Sequence, residues 1–328
     1  MSGANFYEKV ILFLTETIVV QRRLSERSPY RDDGGLTNPQ PYSTRNLLSC
    51  FFIIKVNRMK PVSKTAFYCC GVRMQDAESA RPVIGDNYAK RLMSEEGLQY
   101  WEEFKEFKMP NASNIARAHV IDNYLRQLLS ARPDSTVILI GAGLDSRAYR
   151  LTGGSWVEID EPGVIEYKNE KLPVSECENP LVRIPIDFET QKLSDKLSNY
   201  RNRSHVIIII EGVLMYLTMA EREALVSILT SLFAVHVVFC DLMTKKFFEK
   251  LGQPLHKKIK AYGASFTDMM NDPADLFLRH GYRQLAKVPT IKTSIQLGLS
   301  KLPKFAFLIA GKLLNGYAVY EFSYHGPS

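Results

Sequence analysis

The sequence predicts an α/β fold with a doubly wound, mostly parallel sheet of seven strands. The segment 136–140 reads as a strand that turns on Gly141-Ala142-Gly143, then continues into a helix-compatible segment and a second strand ending on Asp160. The segment 205–210, HVIIII, is apolar after its first residue, as is typical of a central parallel strand buried on both faces. Strand-like and helix-like segments alternate from Ser135 onward, which favours parallel strands joined by helices.

Further strands are predicted from short apolar runs at 181–186, 236–240 and 316–322, and one more follows the glycine at 281 that stops a helix. The first strand is expected to lead into a helix over 144–151. Because ligands in open α/β sheets bind outside the carboxyl ends of the strands, residues directly after each strand are the first candidates for a site.

The chain divides into an extension and a main domain. Residues 1–58 hold two apolar runs around a polar, turn-rich linker at 25–43. Neither run reaches the ~20 apolar residues that a membrane-spanning helix needs. We expect accessory helices and a linker there, with two alternatives: an upstream-extended reading frame, or a lid or arm through which the chain forms a homo-oligomer. The main domain is predicted at 59–328, with a helical cap at 59–134 and an α/β core with cap insertions at 135–328.

Composition and charge restrict the class of protein. The 328 residues are 45% hydrophobic and 23% charged, which is ordinary for a soluble globular protein. Net charge is +7, but residues 1–60 hold nine Lys and Arg against five Asp and Glu, so the main domain is nearly neutral. No basic stripe with interleaved aromatic residues accompanies the glycine turn, and we therefore expect no nucleic-acid partner.

The cysteines indicate a reducing compartment. There are five, an odd number with no CxxC pair, which favours a cytoplasmic location over a secreted, disulfide-bonded one. Vicinal Cys69 and Cys70 are expected to be small buried hydrophobic residues.

The glycine turn separates two classes of cofactor. Glycine lets a ligand approach the backbone closely, and Asp160, 19 positions after Gly141, is placed to accept both hydroxyls of an adenosine ribose. A dinucleotide site usually has a third glycine where this chain has Ser146, preceded by Asp145. Asp145 would repel a pyrophosphate but not the cationic S-adenosylmethionine (SAM). The pattern favours SAM over NAD(P), and a strand–helix turn without a ligand is the remaining alternative.

Five segments together resemble the leucine carboxyl methyltransferase family. They are GAGLDSRAYRL, WVEIDEPGVIEYK and IIIIEGVLMYLT, preceded by SKTAFYCCGVRMQDA (63–77) and NIARAHVIDNYL (114–125). The family contains SAM-dependent O-methyltransferases that act on the C-terminal leucine of protein phosphatase 2A or on polyketide carboxylates. The resemblance implies a class I SAM-methyltransferase (Rossmann-like) fold with a helical N-terminal cap, and S-adenosylhomocysteine (SAH) as the product.

The resemblance also implies roles for particular residues. Gly141, Ala142, Gly143 and Asp145 would line the cofactor, and Asp160 would hold its ribose. Asp187 would accept from the adenine amino group while Phe188 covers the ring, although Asp187 could instead cap a helix starting at Thr190.

The remaining roles concern the methionyl end of the cofactor and the acceptor. Arg73 and Arg117 match the family's arginine-bearing blocks, which pair with the methionyl carboxylate. Glu211 is placed to meet the cofactor ammonium and to order the transfer site. Tyr216 could contact the acceptor, or could simply be a packed tyrosine.

Methyl transfer needs few catalytic groups from the protein, because a sulfonium is an activated methyl donor and the acceptor needs mainly in-line positioning. A carboxylate acceptor is ionised at neutral pH and needs no base, only a cationic group such as Arg73. A hydroxyl acceptor would need a base, and no histidine stands in a matching motif. No metal-ligand spacing is present. We therefore predict an O-methyltransferase for a carboxylate of a small molecule or peptide C-terminus. The alternatives are a catalytically silent SAM-fold scaffold and an NAD(P)-dependent enzyme.

Overall fold

A computed structural model describes residues 59–300 and 305–326 of the chain. The expectations for the extension 1–58 lie outside these residues. Within them, seven strands form the sheet, and their bounds are β1 (Thr136–Ile140), β2 (Ser155–Asp160), β3 (Leu181–Pro185), β4 (Val206–Ile210), β5 (Val235–Met243), β6 (Arg283–Pro289) and β7 (Tyr317–His325).

The strand order is β3-β2-β1-β4-β5-β7-β6. β1 to β5 are parallel, whereas β7 runs antiparallel to both β5 and β6. Within the sheet, the chain runs from β1 outward to β3 and then crosses to β4 on the other side of β1. This reversal creates a crevice at the carboxyl ends of β1 and β4, where α/β sheets bind ligands. The predicted doubly wound, mostly parallel sheet is confirmed.

Among the residues described before β1 there are four helices, which we call the cap, and their bounds are α1 (Pro61–Ala77), α2 (Ala89–Leu92), α3 (Glu95–Glu102) and α4 (Lys108–Ala131). The cap has its own aromatic core. Phe67, Trp101 and Phe104 are each at most 4% exposed, and Gly71 of α1 sits against the indole ring of Trp101. A Cβ on Gly71 would come within 2.6 Å of that ring, so the close approach of α1 and α3 depends on glycine there.

The other helices connect the strands, and their bounds are α5 (Arg147–Arg150), α6 (Pro162–Lys171), α7 (Leu193–Leu197), α8 (Met219–Leu232), α9 (Lys245–Phe247), α10 (Gln253–Ala261), α11 (Asp275–Leu278), α12 (Thr290–Gln296) and α13 (Phe305–Leu314). Short 3₁₀ turns lie at Val174–Glu176, Ser198–Tyr200 and Leu214–Tyr216, and a π-helical turn at Phe248–Gly252.

Three elements differ clearly from their predicted bounds. The helix expected over 144–151 is a single turn, α5. The backbone of Asp145 and Ser146 is not helical, because Asp145 Oδ1 accepts a hydrogen bond from the N–H of Arg147 and holds these residues in the preceding turn. β5 and β7 are longer than predicted, since they pair with each other over nine residues each. The extra pairing compensates for charged or polar residues that break the apolar runs in both strands.

An amphipathic segment, 245–261, follows β5 and is called here the wall helix. It consists of α9, the π-helical turn and α10. Phe247, Leu251, Leu255 and Ile259 recur every four residues and share its inner face. In the described part of the chain, no helix combines the length and apolarity needed to cross a membrane.

Candidate active site

The glycine turn after β1 is fixed to β2. Gly141 and Gly143 have φ of 69° and 48°, which glycine adopts without steric cost. The N–H of Gly141 donates to the carbonyl of Ile159 at 2.9 Å, and the N–H of Gly143 donates to Asp160 Oδ2 at 2.6 Å. A Cβ on Gly141 would also lie 2.5 Å from Val213 Cγ2. The turn therefore brings the ends of β1, β2 and β4 into one small region.

Asp160 closes β2 with a carboxylate that is 7% exposed. Its Oδ1 accepts a hydrogen bond from the N–H of Glu161 at 2.7 Å. Burial raises the pKa of Asp160 to about 6, although the two backbone donors oppose the rise. Each carboxylate oxygen has two lone pairs, so both retain capacity to accept from ribose hydroxyls.

Asp187 and Phe188 lie at the end of β3 and are more exposed than the rest of the site. Phe188 is 45% exposed. Asp187 Oδ2 accepts from Thr190 Oγ1 at 2.8 Å, a bond that lowers the pKa of Asp187. It caps a turn rather than a helix, because α7 starts at Leu193. Lys60, just before α1, lies 3.5 Å from Asp187 Oδ1 and thus ties the cap to this corner of the site.

Arg73 braces the glycine turn from the cap. It is 8% exposed, and its Nε donates to Asp86 Oδ2 at 2.9 Å while Nη2 donates to the carbonyl of Leu144 at 2.6 Å. Nη1 donates to the carbonyl of Cys69 at 3.4 Å, so all three guanidinium nitrogens have protein acceptors. Arg73 lies beside the turn, and its role towards the cofactor stays a prediction.

Arg117 joins the cap to the carboxyl ends of β4 and β5. Its Nε donates to Glu211 Oε1 at 2.8 Å, and its Nη1 lies 3.2 Å from Asp241 Oδ2. Nη1 also donates to the hydroxyl of Tyr317 at 2.7 Å, and that hydroxyl donates to Asp241 Oδ2 at 2.7 Å. Burial alone would lower the pKa of Arg117, but Tyr317 and the two carboxylates raise it well above its usual value.

A second buried arginine, Arg147, also pairs with Glu211 and with two further carboxylates. Its Nε donates to Asp122 Oδ1 at 2.6 Å, and its Nη1 pairs with Asp145. Burial favours neutral Asp145, but Arg147 and Arg73 outweigh it and lower the pKa of Asp145 to about 2. Asp145 is thus an ionised partner of Arg147 in this site.

Glu211 carries an atom that the protein leaves unsatisfied. Oε2 lies 2.7 Å from Arg147 Nη1, but it accepts no hydrogen bond from the described residues. Burial alone would raise the pKa of Glu211, but Arg147 and Arg117 lower it by more. The net shift is therefore downward, and the side chain is ionised. A buried carboxylate oxygen without a donor fits the ammonium group of SAM.

These residues fit SAM as a whole. Gly141 to Gly143 leave the backbone open to close approach, Asp160 offers acceptors for the ribose, and Glu211 offers one for the ammonium. Sequence reasoning missed Arg147, Asp241 and Tyr317 as site residues. The available signals were the position of Arg147 inside the GAGLDSRAYRL segment and that of Asp241 directly after a predicted strand, whereas no site motif marks Tyr317.

A cavity of about 760 Å³, its open mouth included, lies between the cap and the sheet next to Arg117 and Gly212. We call it the cap cavity. It is lined by apolar, aromatic and methionine side chains from the cap, the wall helix and the segments after β4, with few polar groups. Its lining residues are Thr65, Tyr68, Cys69, Met109, Pro110, Ser113, Asn114, Arg117, Gly212, Met215, Tyr216, Met243, Phe247, Leu251, Gly252, Leu255, Ile259, Phe266, Ile291 and Tyr317.

The polar end of the cap cavity is built around Cys69. Its sulfur accepts from Asn114 Nδ2 at 3.2 Å and from Arg117 Nη2 at 3.7 Å. Cys70 is fully buried, as predicted, whereas Cys69 is half-buried and opens on the cavity, because the two side chains point to different faces of α1. Tyr216 lines the same cavity.

Comparisons with known proteins identify the family of the chain. The profile of the leucine carboxyl methyltransferase family matches residues 66–230. The S-adenosyl-L-methionine-dependent methyltransferase dpfgK of Gibberella zeae is 25% identical over 281 residues, covering 76% of this chain and 91% of that protein. The tetracenomycin polyketide synthesis O-methyltransferase TcmP of Streptomyces glaucescens is 27% identical over 172 residues, covering 51% of this chain and 60% of that protein.

A solved structure shares the fold. A DUF574-family protein from Streptomyces avermitilis superposes with a TM-score of 0.50 at 12% identity, covering 77% of this chain and 99% of that one. The fold and the site define a SAM-dependent methyltransferase. Within that class, the chain belongs to the leucine carboxyl methyltransferase family.

Proposed function

We propose that the protein transfers the methyl group of SAM to a carboxylate oxygen of a small, largely apolar molecule. The observation that supports this most is the polar end of the cap cavity. There, Arg117 Nη2 and Asn114 Nδ2 both point to Cys69 Sγ, which is a weak acceptor. A carboxylate oxygen would accept from the same two donors far better than the sulfur does, and Arg117 adds charge assistance.

The acid–base groups around the cavity favour the same acceptor. No histidine is among the described residues that line it. Burial raises the pKa of Tyr216 well above its usual value, which makes its hydroxyl a poor proton acceptor at neutral pH. Glu211 and Asp241 are held by arginines. A carboxylate needs no base, whereas a phenol or alcohol would have to lose its proton to one of these groups.

Bound SAM supplies a methyl group on a positively charged sulfur. Protein residues then act by position: Glu211 holds the ammonium, Asp160 holds the ribose, and the cavity aligns the acceptor oxygen with the methyl carbon. A carbon–oxygen bond forms, the carbon–sulfur bond breaks with its electron pair passing to sulfur, and the products are a methyl ester and SAH. The surrounding apolar side chains exclude water from the reacting centre.

The lining of the cap cavity favours a small molecule over a protein surface, because it is mostly apolar with a few polar groups at one end, as small-molecule sites are. The name of the relative TcmP, a polyketide O-methyltransferase, supports oxygen as the acceptor atom.

The test is turnover of SAM with matched acceptors. Apolar aromatic and aliphatic carboxylic acids would be compared with the corresponding alcohols, phenols and primary amides, with SAH release and product mass as readouts. Methyl esters formed from acids alone would support the proposal. Methylation of phenols but not acids would overturn the carboxylate assignment. SAM binding without turnover on any acceptor would favour the alternative, a catalytically silent SAM-binding scaffold.

A further inference from the structure

The positive charge of the main domain is concentrated in two segments. Residues 245–260 contain six lysines and one glutamate, and residues 290–314 contain four lysines and no acid. Outside these segments, residues 61–328 carry 29 acidic and 23 basic side chains. The excess of positive charge is therefore confined to these two segments, and the rest of the main domain is acidic.

The segments 245–260 and 290–314 lie next to each other in the structure. Phe247 of the wall helix, Ile291 of α12 and Leu314 of α13 share one buried apolar cluster. Around this cluster the lysine side chains face solvent. The exposed residues, called here the lysine surface, are Lys245, Lys246, Lys250, Lys257, Lys260, Lys292 and Lys312.

The same helix has opposite chemistry on its two faces. Leu251, Leu255 and Ile259 line the cap cavity, whereas Lys250, Lys257 and Lys260 are exposed on the outside. Because the apolar face is turned to the cavity, the lysine face is the one left for a partner, and clustered lysines are typical of surfaces that bind anionic membranes by charge. Each lysine near such a surface adds a favourable electrostatic contribution that salt screens.

We propose that the lysine surface docks the protein on an anionic lipid bilayer, where apolar molecules suited to the cap cavity accumulate. The idea that the bilayer presents the acceptor rests on the proposed function, but docking itself does not. A bilayer fits better than a nucleic acid, because the aromatic residues described in segment 245–266 are buried or half-buried and offer no platform for stacking bases.

The first experiment is co-sedimentation of the full-length protein with lipid vesicles, without SAM or acceptor. Vesicles of phosphatidylcholine alone would be compared with phosphatidylcholine containing about 30 mol % phosphatidylglycerol. Binding to the second only, and its loss between about 0.1 M and about 0.5 M salt, is expected. Absence of binding to the anionic vesicles at the lower salt concentration would overturn the proposal.

A charge-matched pair of variants locates the surface. Lys246, Lys250, Lys257 and Lys260 would be changed to glutamine, and the resulting variant should partition at least about tenfold more weakly. The control replaces four cations elsewhere, Lys90, Arg132, Arg201 and Arg203, by glutamine, and should bind as wild type does. Equal loss in both variants would show that net charge alone matters and would refute this surface.

Two further measurements keep the outcomes separate. SAM affinity should be unchanged in both variants, since neither set touches the cofactor residues, and this also reports folding. Binding of single-stranded RNA in preference to the anionic vesicles would replace the bilayer by a nucleic-acid partner. Vesicle binding by a protein that shows no methyl transfer would leave docking intact and count against the proposed function instead.

Discussion

Arg117 of α4 and Glu211 at the end of β4 are 94 residues apart in the sequence, and they meet through a 2.8 Å hydrogen bond between Nε and Oε1. Both side chains are largely buried. This pair fixes the cap to the sheet at the point where the cofactor site and the cap cavity adjoin. A substitution that disturbs this pair should therefore disturb both the candidate cofactor site and the cap cavity.

Glu211→Gln should weaken SAM binding by about 1–3 kcal/mol, because the neutral amide loses the charged interaction with the ammonium. Calorimetric titration with SAM and SAH measures the change. Glu106→Gln, at an acid whose side chain is 74% exposed, serves as the control and should bind as wild type does. An unchanged affinity in Glu211→Gln would remove Glu211 from the cofactor site.

SAM affinity should depend on pH through Asp160. Its pKa is about 6, so the carboxylate becomes neutral as the pH falls through that value. A neutral carboxyl accepts more weakly from ribose hydroxyls, and SAM affinity should therefore fall about 3- to 10-fold between about pH 8 and about pH 5. Titrations across this range should show the slope in wild type and a flat, weaker profile in Asp160→Asn. A slope that persists in the variant would assign the titration to another group.

Narrowing the cap cavity should impair the acceptor and spare the cofactor. Leu251→Phe adds volume to the cavity wall, and kcat/KM for the acceptor should fall about tenfold or more. The SAM dissociation constant should change by less than about twofold. The same substitution at Leu285, which is 47% exposed, should alter neither quantity. Parallel losses of acceptor turnover and SAM affinity would mean that the two sites are not separate.

Stability of the cap should depend on Gly71. Gly71→Ala places a Cβ within 2.6 Å of the Trp101 ring, and the overpacking should lower the free energy of unfolding by about 1–3 kcal/mol. Urea unfolding measures this change. Gly311→Ala is the matched control in α13, where a Cβ meets no atom of the described residues within 4 Å, and it should raise stability by about 0.5–1 kcal/mol. A neutral Gly71→Ala would show that α1 and α3 can move apart without cost.

The strands and the site residues next to the glycine turn could be predicted from local sequence patterns. The glycine turn and Asp160 were predictable because they lie within one short strand–turn–strand unit. The partners of Arg117 were not, since Asp241 and Tyr317 lie 124 and 200 positions away and come close only through the sheet topology. The same holds for Asp86 opposite Arg73, which sits in a loop that no periodic pattern marks.

Side chains that line the cap cavity come from residues 65–117 and from residues 212–317, and none comes from β1, β2 or β3. The residues assigned to the glycine turn and the ribose come from β1 and β2 and the turns that follow them. The cavity wall and the ribose end of the cofactor site are thus encoded in different stretches of the chain, and Arg117 and Glu211 are where the two meet. Substitutions on the wall helix can therefore change the shape of the cavity without touching the glycine turn or Asp160.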